Sequence, residues 1–151
     1  MEVARRCKAV VTVEEHCVNG GLGEACASLL MQQRILQQIR DAVIVTTAEP
    51  VDPPGPLIVY ANRSALRQTG YALEEILGRS PRIFQGPGTD PAAIAAFLAA
   101  LRHWQPARQR LVNYRRDGRR FWVVIEISPL EDSDGWYTYW VSVQRECEAP
   151  A

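Results

Sequence analysis

The final third of the chain contains three stretches of strand-forming sequence separated by tight-turn sequences. The stretches are residues 108–115, 119–129 and 136–145, with Asp117-Gly118 and Asp132-Ser133-Asp134-Gly135 between them. Asp-Gly and related pairs supply the positive φ angles that short hairpin loops need. Strands joined by such short loops pair as antiparallel neighbours. This part of the sequence therefore predicts a three-stranded antiparallel meander.

The elements before the meander add strands and helices. Residues 42–47 are rich in branched side chains, and residues 57–60 read as their hairpin partner after the proline-rich loop 50–56. Capping residues, glycine and proline predict three helices at 62–68, 73–77 and 90–101. This order predicts an α+β fold, in which a five-stranded antiparallel sheet carries short helices on one face.

An amphipathic helix is predicted before the first strand, over residues 22–40. Its apolar residues recur at three-, four- and seven-residue steps: Leu22, Cys26, Leu29, Leu36, Ile39 and Val43. Such a stripe either covers the helix's own domain or pairs two protomers. The predicted organisation is an N-terminal extension at 1–21, the flanking helix at 22–40, the sheet domain at 41–147 and a tail at 148–151.

Composition restricts the class of protein. The 151 residues, 47% of them apolar, suit one domain with a real core. Seventeen basic and seventeen acidic residues cancel, so charge favours neither nucleic acid nor a membrane surface as partner. We find no signal peptide and no apolar stretch near the roughly 18 residues of a membrane span. We expect a soluble, cytoplasmic protein.

Neither a metal site nor an enzyme active site is predicted. The cysteines form no CxxC pair, and the adjacent His16 and Cys17 lack a second ligand pair at zinc-finger spacing. We find no Ser/His/Asp set and no carboxylate pair placed by a motif. The four cysteines are read as reduced thiols: Cys7, Cys17, Cys26 and Cys147.

A nine-residue segment carries a family resemblance. Residues 78–86 read GRSPRIFQG and resemble the signature GRNCRFLQG of the LOV branch of PAS domains. Further matches in the same order are Thr89-Asp90, Leu111-Val112-Asn113-Tyr114, Asp117-Gly118, Phe121-Trp122, Ile127-Ser128-Pro129-Leu130 and Val143-Gln144. The resemblance covers roughly residues 41–146 and implies the PAS fold.

The resemblance also implies a flavin pocket. By position, Arg82 matches the arginine that meets the ribityl phosphate, and a guanidinium suits that anion. Gln85, Asn113 and Gln144 match the amides at the flavin's imide edge, where both donors and acceptors are needed. Ser80 stands where the signature has asparagine. The implied cofactor is FMN, and riboflavin, FAD or no ligand at all remain alternatives.

Two kinds of departure from the LOV pattern matter. Pro81 replaces the cysteine whose sulfur bonds the excited flavin in ordinary LOV domains, so no cysteinyl adduct can form there. Val123 stands for an asparagine, and Ala95 or Leu98 for a second phosphate-binding arginine. These changes predict a less polar pocket.

The favoured function is a flavin-binding sensor that responds to light or redox state without adduct formation. The alternative is a ligand-free or metabolite-binding PAS module for dimerisation. The sequence names no effector. A homodimer is expected through the flanking helix and the outer face of the sheet, with these residues: Leu29, Leu36, Ile39, Trp122, Tyr137, Tyr139 and Trp140.

A shorter resemblance concerns the beginning of the chain. Residues 10–16 and 20–25 are similar to a strand, loop and helix from the C-terminal domain of transketolase-like enzymes. About 25 residues cannot fold as that domain alone. No thiamine-binding segment accompanies them, so this resemblance implies no activity.

Overall fold

The computed structural model describes residues 38–151 together with Ile35. The N-terminal extension and most of the predicted flanking helix, including Leu29 and Leu36, lie outside the described residues. Ile35 and Gln38 are helical, and the Ile39 amide donates to the Ile35 carbonyl at 3.2 Å. Residues 40–151 form one compact unit, which begins one residue before the predicted domain start.

The unit contains five strands, three α-helices and one turn of 3₁₀-helix. In chain order they are β1 (Ala42–Thr47), β2 (Ile58–Ala61), α1 (Arg63–Thr69), α2 (Leu73–Ile76), the 3₁₀-helix (Pro81–Phe84), α3 (Pro91–Arg102), β3 (Ala107–Tyr114), β4 (Arg120–Glu131) and β5 (Tyr137–Cys147). The predicted α+β architecture is confirmed, with most element boundaries within two residues. The 3₁₀-helix was not predicted.

The strands form one antiparallel sheet in the order β2-β1-β5-β4-β3. The meander β3-β4-β5 therefore joins the hairpin β1-β2 through its last strand. Ala42 pairs with Gln144 and Ile44 with Ser142 in that join. The predicted turns are present, and Gly118 and Gly135 adopt φ angles of 86° and 82°. First and last strands thus lie side by side in the middle of the sheet.

Local signals explain the first helix. Asn62 is the N-cap of α1, and its Oδ1 accepts from the amides of Ala65 and Val43, both at 2.9 Å. Its Nδ2 donates to the Asp41 carbonyl at 3.0 Å. Gly70 ends the helix in the left-handed conformation, where glycine carries no Cβ penalty. One buried side chain therefore fixes α1 against β1.

The longest helix of the described region is α3, which begins as predicted. The Asp90 side chain accepts from the Ala92 amide at 2.9 Å, and Pro91 occupies the first helical position. Phe97 and Leu101 lie on its inner face and are buried. No helix among residues 38–151 is long and apolar enough to cross a membrane.

Candidate functional site

A cavity of about 120 Å³ lies between the sheet and the helices of the described unit. This volume is well above what a single buried water needs. Packing defects in protein cores are far smaller. The lining residues are Ile44, Thr46, Pro56, Ser80, Pro81, Arg82, Phe84, Gln85, Ile94, Phe97, Leu98, Leu101, Leu111, Asn113, Ile125, Ile127, Trp140, Ser142 and Gln144.

All six residues that the sequence analysis selected as cofactor-binding line this cavity: Ser80, Pro81, Arg82, Gln85, Asn113 and Gln144. They come from three separate segments of the chain. The 3₁₀-helix and its flanks supply four of them, β3 supplies one and β5 supplies one. The structure thus brings the whole predicted set together. Their role toward a flavin stays a prediction.

The 3₁₀-helix positions the signature residues. The Ser80 hydroxyl caps it by accepting from the Arg82 amide at 3.3 Å, and Pro81 begins it. Phe84, the last residue of this helix, is only 1% exposed. Its ring packs edge-on against Tyr71, with ring centroids 5.7 Å apart. Serine, rather than the asparagine of the LOV signature, is therefore sufficient as the cap. Gln85 follows as the C-cap residue and lies at the cavity wall.

The glycine after Gln85 is required by close packing. A Cβ on Gly86 would lie 2.5 Å from the ring of Tyr114 on β3. The Tyr114 hydroxyl in turn accepts from the Gly88 amide at 2.8 Å. Thr89 closes the same loop, since its hydroxyl donates to the Val112 carbonyl at 2.7 Å. These contacts attach the signature segment to β3, next to Asn113.

Arg82 holds the proline-rich loop before β2. Its guanidinium donates to the Val51 carbonyl at 2.9 Å and to the Gly55 carbonyl. It also contacts the Ser80 hydroxyl at 3.3 Å. Among the described residues no carboxylate forms an ion pair with it. The Arg82 charge at the cavity wall is therefore bound by carbonyl and hydroxyl dipoles, and by no anion among the described residues.

Two buried amides lie on the sheet side of the cavity. Gln144 is 3% exposed; its Nε2 donates to the Ser142 hydroxyl at 3.2 Å, and that hydroxyl donates to the Ile44 carbonyl at 3.3 Å. The Gln144 Oε1 atom is buried and has no hydrogen-bond partner among residues 38–151. A buried acceptor without a partner costs about 1–3 kcal/mol. Asn113, also 3% exposed, lines the same cavity.

The apolar substitutions occupy two different places. Leu98 lines the cavity from α3, whereas Ala95 does not. Val123 is fully buried in a core cluster with Phe97 and does not line the cavity. Leu98 is therefore the residue at the wall where a second arginine was sought. Val123 packs behind that wall, on the same strand face as the lining residues Ile125 and Ile127.

The prediction that Trp140 faces outward was wrong. Trp140 is 2% exposed and lines the cavity, in line with Ser142 and Gln144 on β5. Alternate residues of a strand share a face, so the assignment of Gln144 to the pocket already implied this position for Trp140. Trp104, which stacks on Trp140, was missed because no sequence pattern connects the end of α3 to β5.

Comparison with known proteins gives the class. The PAS domain family model matches residues 40–147. The chain therefore belongs to the PAS domain family, and the fold described above is the PAS fold. The family resemblance of the signature segment is confirmed at this level.

Similar proteins include a phototropin and a blue-light-activated histidine kinase. Phototropin-2 of Oryza sativa subsp. japonica is 35% identical over 136 residues, which is 85% of this chain and 14% of that protein. The blue-light-activated histidine kinase of Brucella ovis is 36% identical over 104 residues, 69% of this chain and 21% of that protein. The chain thus spans less than a quarter of either relative. The second of these relatives is named for activation by blue light.

Solved structures agree. A structure from work on the light-oxygen-voltage domain mechanism with a flavin analogue superposes with a TM-score of 0.69 at 36% identity, covering 76% of this chain and 83% of that one. The light state of the blue-light photoreceptor Aureochrome1 LOV gives 0.65 at 35% identity, covering 77% and 88%. None of these comparisons supports or tests the transketolase-like resemblance of the first residues, which lie outside the described residues.

Proposed function

We propose that this PAS domain binds a flavin in the described cavity and acts as a blue-light or redox sensor without a cysteinyl adduct. The observation that carries the proposal is the meeting of the six predicted residues at one cavity, where the buried Gln144 Oε1 has no hydrogen-bond partner among residues 38–151. A flavin's imide N–H is a donor that such an acceptor suits. Similar proteins and structures include a blue-light-activated histidine kinase and a light-oxygen-voltage domain studied with a flavin analogue, which supports the same ligand class.

Each residue has a proposed part. Arg82 neutralises the phosphate of FMN, and Asn113, Gln85 and Gln144 hold the polar edge of the ring through donor and acceptor pairs. The apolar walls exclude water and strengthen those hydrogen bonds. When bound, the flavin supplies blue absorption and a site that accepts electrons. Riboflavin and FAD remain alternatives to FMN.

Among the described residues no thiol lines the cavity, which supports chemistry without an adduct. Pro81 lines the cavity at the signature position of the cysteine. Cys147, the described cysteine, is three residues beyond Gln144 on β5 and does not line the cavity. An odd spacing places a side chain on the opposite face of a strand. No described sulfur therefore faces the proposed flavin.

Signal output is proposed to pass from Gln144 along β5. Reorientation of its amide would break the bond to Ser142, which is itself tied to β1. The next residue, Arg145, pairs with Asp41 at 2.9 Å, immediately after the start of the compact unit. These contacts connect the cavity to the first residues of the compact unit. The role is that of a sensor, not an enzyme, and its effector is not identified.

The alternative function is a ligand-free or metabolite-binding module. It is favoured by one observation, that Arg82 already satisfies part of its hydrogen-bonding capacity on the Val51 and Gly55 carbonyls. The two functions are separated by the spectrum of protein purified in the dark. Bound flavin absorbs in the blue, and a bare domain does not.

Pro81→Cys tests the adduct part separately. If flavin lies against the signature segment, the new thiol should give light-induced loss of visible absorption that recovers in the dark. The parent protein should show no such adduct. Pro81→Ser is the matched control, since it also removes the proline but supplies no sulfur. A variant that binds flavin and yet forms no adduct would show that position 81 does not face the reactive atom.

A further inference from the structure

Three aromatic rings form a continuous stack from the cavity to the surface. Trp140, in the cavity wall, stacks on Trp104 with centroids 5.5 Å apart and planes 3° from parallel. Trp104 also stacks with Tyr137, with centroids 5.2 Å apart and planes 21° from parallel. Exposure rises along the series, from 2% at Trp140 to 38% at Tyr137. The stack therefore connects the buried site with solvent.

The sheet is irregular where this stack forms. Tyr137 and Trp140 are three residues apart and would lie on opposite faces of a regular strand. The pairing of β5 with β4 shifts between Leu130 and Glu131, so that Leu130 faces Tyr139 but Glu131 faces Tyr137. Such a bulge inserts one residue and re-aims the side chains beyond it. It lets Tyr137 and Trp140 contact the same ring.

Trp104 is held in an unfavourable backbone conformation. Its φ is 54°, and it directly follows His103, the C-cap of α3, where helices usually place glycine. A bulky residue in this region costs on the order of 1–3 kcal/mol and persists only when its surroundings fix it. The two flanking rings supply that fixation. Residues held in this way concentrate at functional sites.

The environment of the Trp140 indole proton also bears on this stack. Its Nε1 atom is buried and has no hydrogen-bond partner in the described part of the chain. An oxidised indole is trapped when it loses this proton to a neighbouring base or water. An oxidised Trp140 that keeps this proton would be open to reduction by an electron from Trp104.

We propose that Trp140, Trp104 and Tyr137 form a one-electron relay between the cavity and the surface; this inference rests on the proposed flavin function. Trp140 is oxidised by one electron as the photoexcited flavin is reduced by one. Trp104 then reduces the oxidised Trp140 by one electron. Tyr137 reduces the oxidised Trp104 in turn, and its phenolic proton leaves to water. A soluble one-electron donor of the ascorbate type returns an electron and a proton to Tyr137. With uptake of one solvent proton by the flavin, one hydrogen atom passes in total from donor to flavin.

The relay is tested by light-driven flavin reduction in the FMN-loaded protein with ascorbate as the donor. Trp104→Phe keeps a ring in the stack but raises the cost of oxidising it, so the reduction rate should fall several-fold and the flavin fluorescence should rise. Trp136→Phe is the matched control: its ring is 73% exposed and lies beside Tyr137 in sequence, outside the stack. Trp104→Gly, which suits the backbone at this position, gives the second variant if Trp104→Phe does not fold. FMN binding by each variant is measured first, by titration.

A flavin-free measurement separates the relay from the proposed function. One-electron oxidation of the apoprotein by azide radicals produces tryptophan radicals, and the relay predicts rapid intramolecular transfer to tyrosine. Trp136 is 73% exposed and adjacent to Tyr137 in sequence, so the measurement is made in the Trp136→Phe protein. There, Tyr137→Phe should remove most of this transfer, whereas Tyr71→Phe, outside the stack, should not. A protein that binds no FMN would overturn the proposed function and leave this result decisive. Unchanged photoreduction in Trp104→Phe, or unchanged radical transfer in Tyr137→Phe, would overturn the relay.

Discussion

At the scale of single residues, Gln144 combines a structural cost with a proposed function. Its Oε1 atom is buried without a described partner, while its Nε2 is satisfied by Ser142. If the Gln144 side chain only stabilised the sheet through Nε2, the buried Oε1 atom would contribute nothing. A ligand that donates to Oε1 would recover the cost of burying it. The opposite demands of stability and binding can therefore be measured at one position.

Gln144→Leu should stabilise the apoprotein by about 1 kcal/mol, because a buried acceptor without a partner is removed. The same change should weaken flavin binding by about 1 kcal/mol, the scale of one lost hydrogen bond. Urea unfolding and flavin titration measure the two effects. Gln68→Leu is the matched control, since its Oε1 is also buried without a described partner but lies on α1, away from the cavity. Parallel loss of flavin affinity in both variants would contradict the role of Gln144.

Arg82 separates the phosphate role from the loop role. Arg82→Ala should weaken FMN binding by about 1.5–3 kcal/mol, the usual scale of a charge-assisted contact, with little change for riboflavin. Release of the Val51 and Gly55 carbonyls would act on both ligands alike. Arg79→Ala, three residues away and exposed outside the cavity, is the control for net charge. Equal losses for FMN and riboflavin would assign Arg82 to the loop alone.

At the scale of elements, Asn62 connects a helix and two strands. It is fully buried, caps α1, accepts from the Val43 amide and donates to the Asp41 carbonyl. β1 in turn pairs with β5 beside the cavity. Loss of this side chain would leave backbone groups of two elements without partners. The helix cap is therefore also a junction of the sheet.

Asn62→Ala should lower the free energy of unfolding by about 2–4 kcal/mol, the sum of a lost cap and a buried amide left without a partner. Asp90→Ala removes the cap of α3, which is exposed, and should cost only about 1 kcal/mol. Urea unfolding of both variants measures the difference. Equal costs would show that the contacts of Asn62 with β1 do not contribute.

Elements with local signals were predictable from the sequence, and elements that depend on distant contacts were not. Asn62, Gly70 and Asp90 fix helix ends by hydrogen bonds within a few residues, and their predicted positions are confirmed. The strand order places Gln144 at the same cavity as the signature segment. The family resemblance, and no local signal, predicted that these residues lie together. The left-handed conformation of Trp104 depends on aromatic rings from β5, so no residue near it in sequence predicts it.

At the scale of the whole molecule, the predicted homodimer remains a prediction. Leu29 and Leu36 lie outside the described residues, and Ile39 immediately precedes the compact unit. Leu36→Glu should give a folded monomer, because burying a side chain of this size stabilises an interface by about 1.5–3 kcal/mol and a two-fold contact includes it twice. Gln37→Glu places the same charge on the polar side of the predicted helix as a control. A monomeric parent in light scattering, or a dimeric Leu36→Glu protein, would contradict this assembly.

The central claim, a flavin sensor without a cysteinyl adduct, is tested most directly by one absorption experiment. Protein purified in the dark, with FMN added if it is colourless, is illuminated with blue light in the absence of oxygen and in the presence of ascorbate. We predict bound flavin that absorbs in the blue and passes into a reduced form that oxygen restores. Failure to take up any flavin would contradict the claim, as would reversible conversion of the visible absorption to a single near-ultraviolet band without a donor.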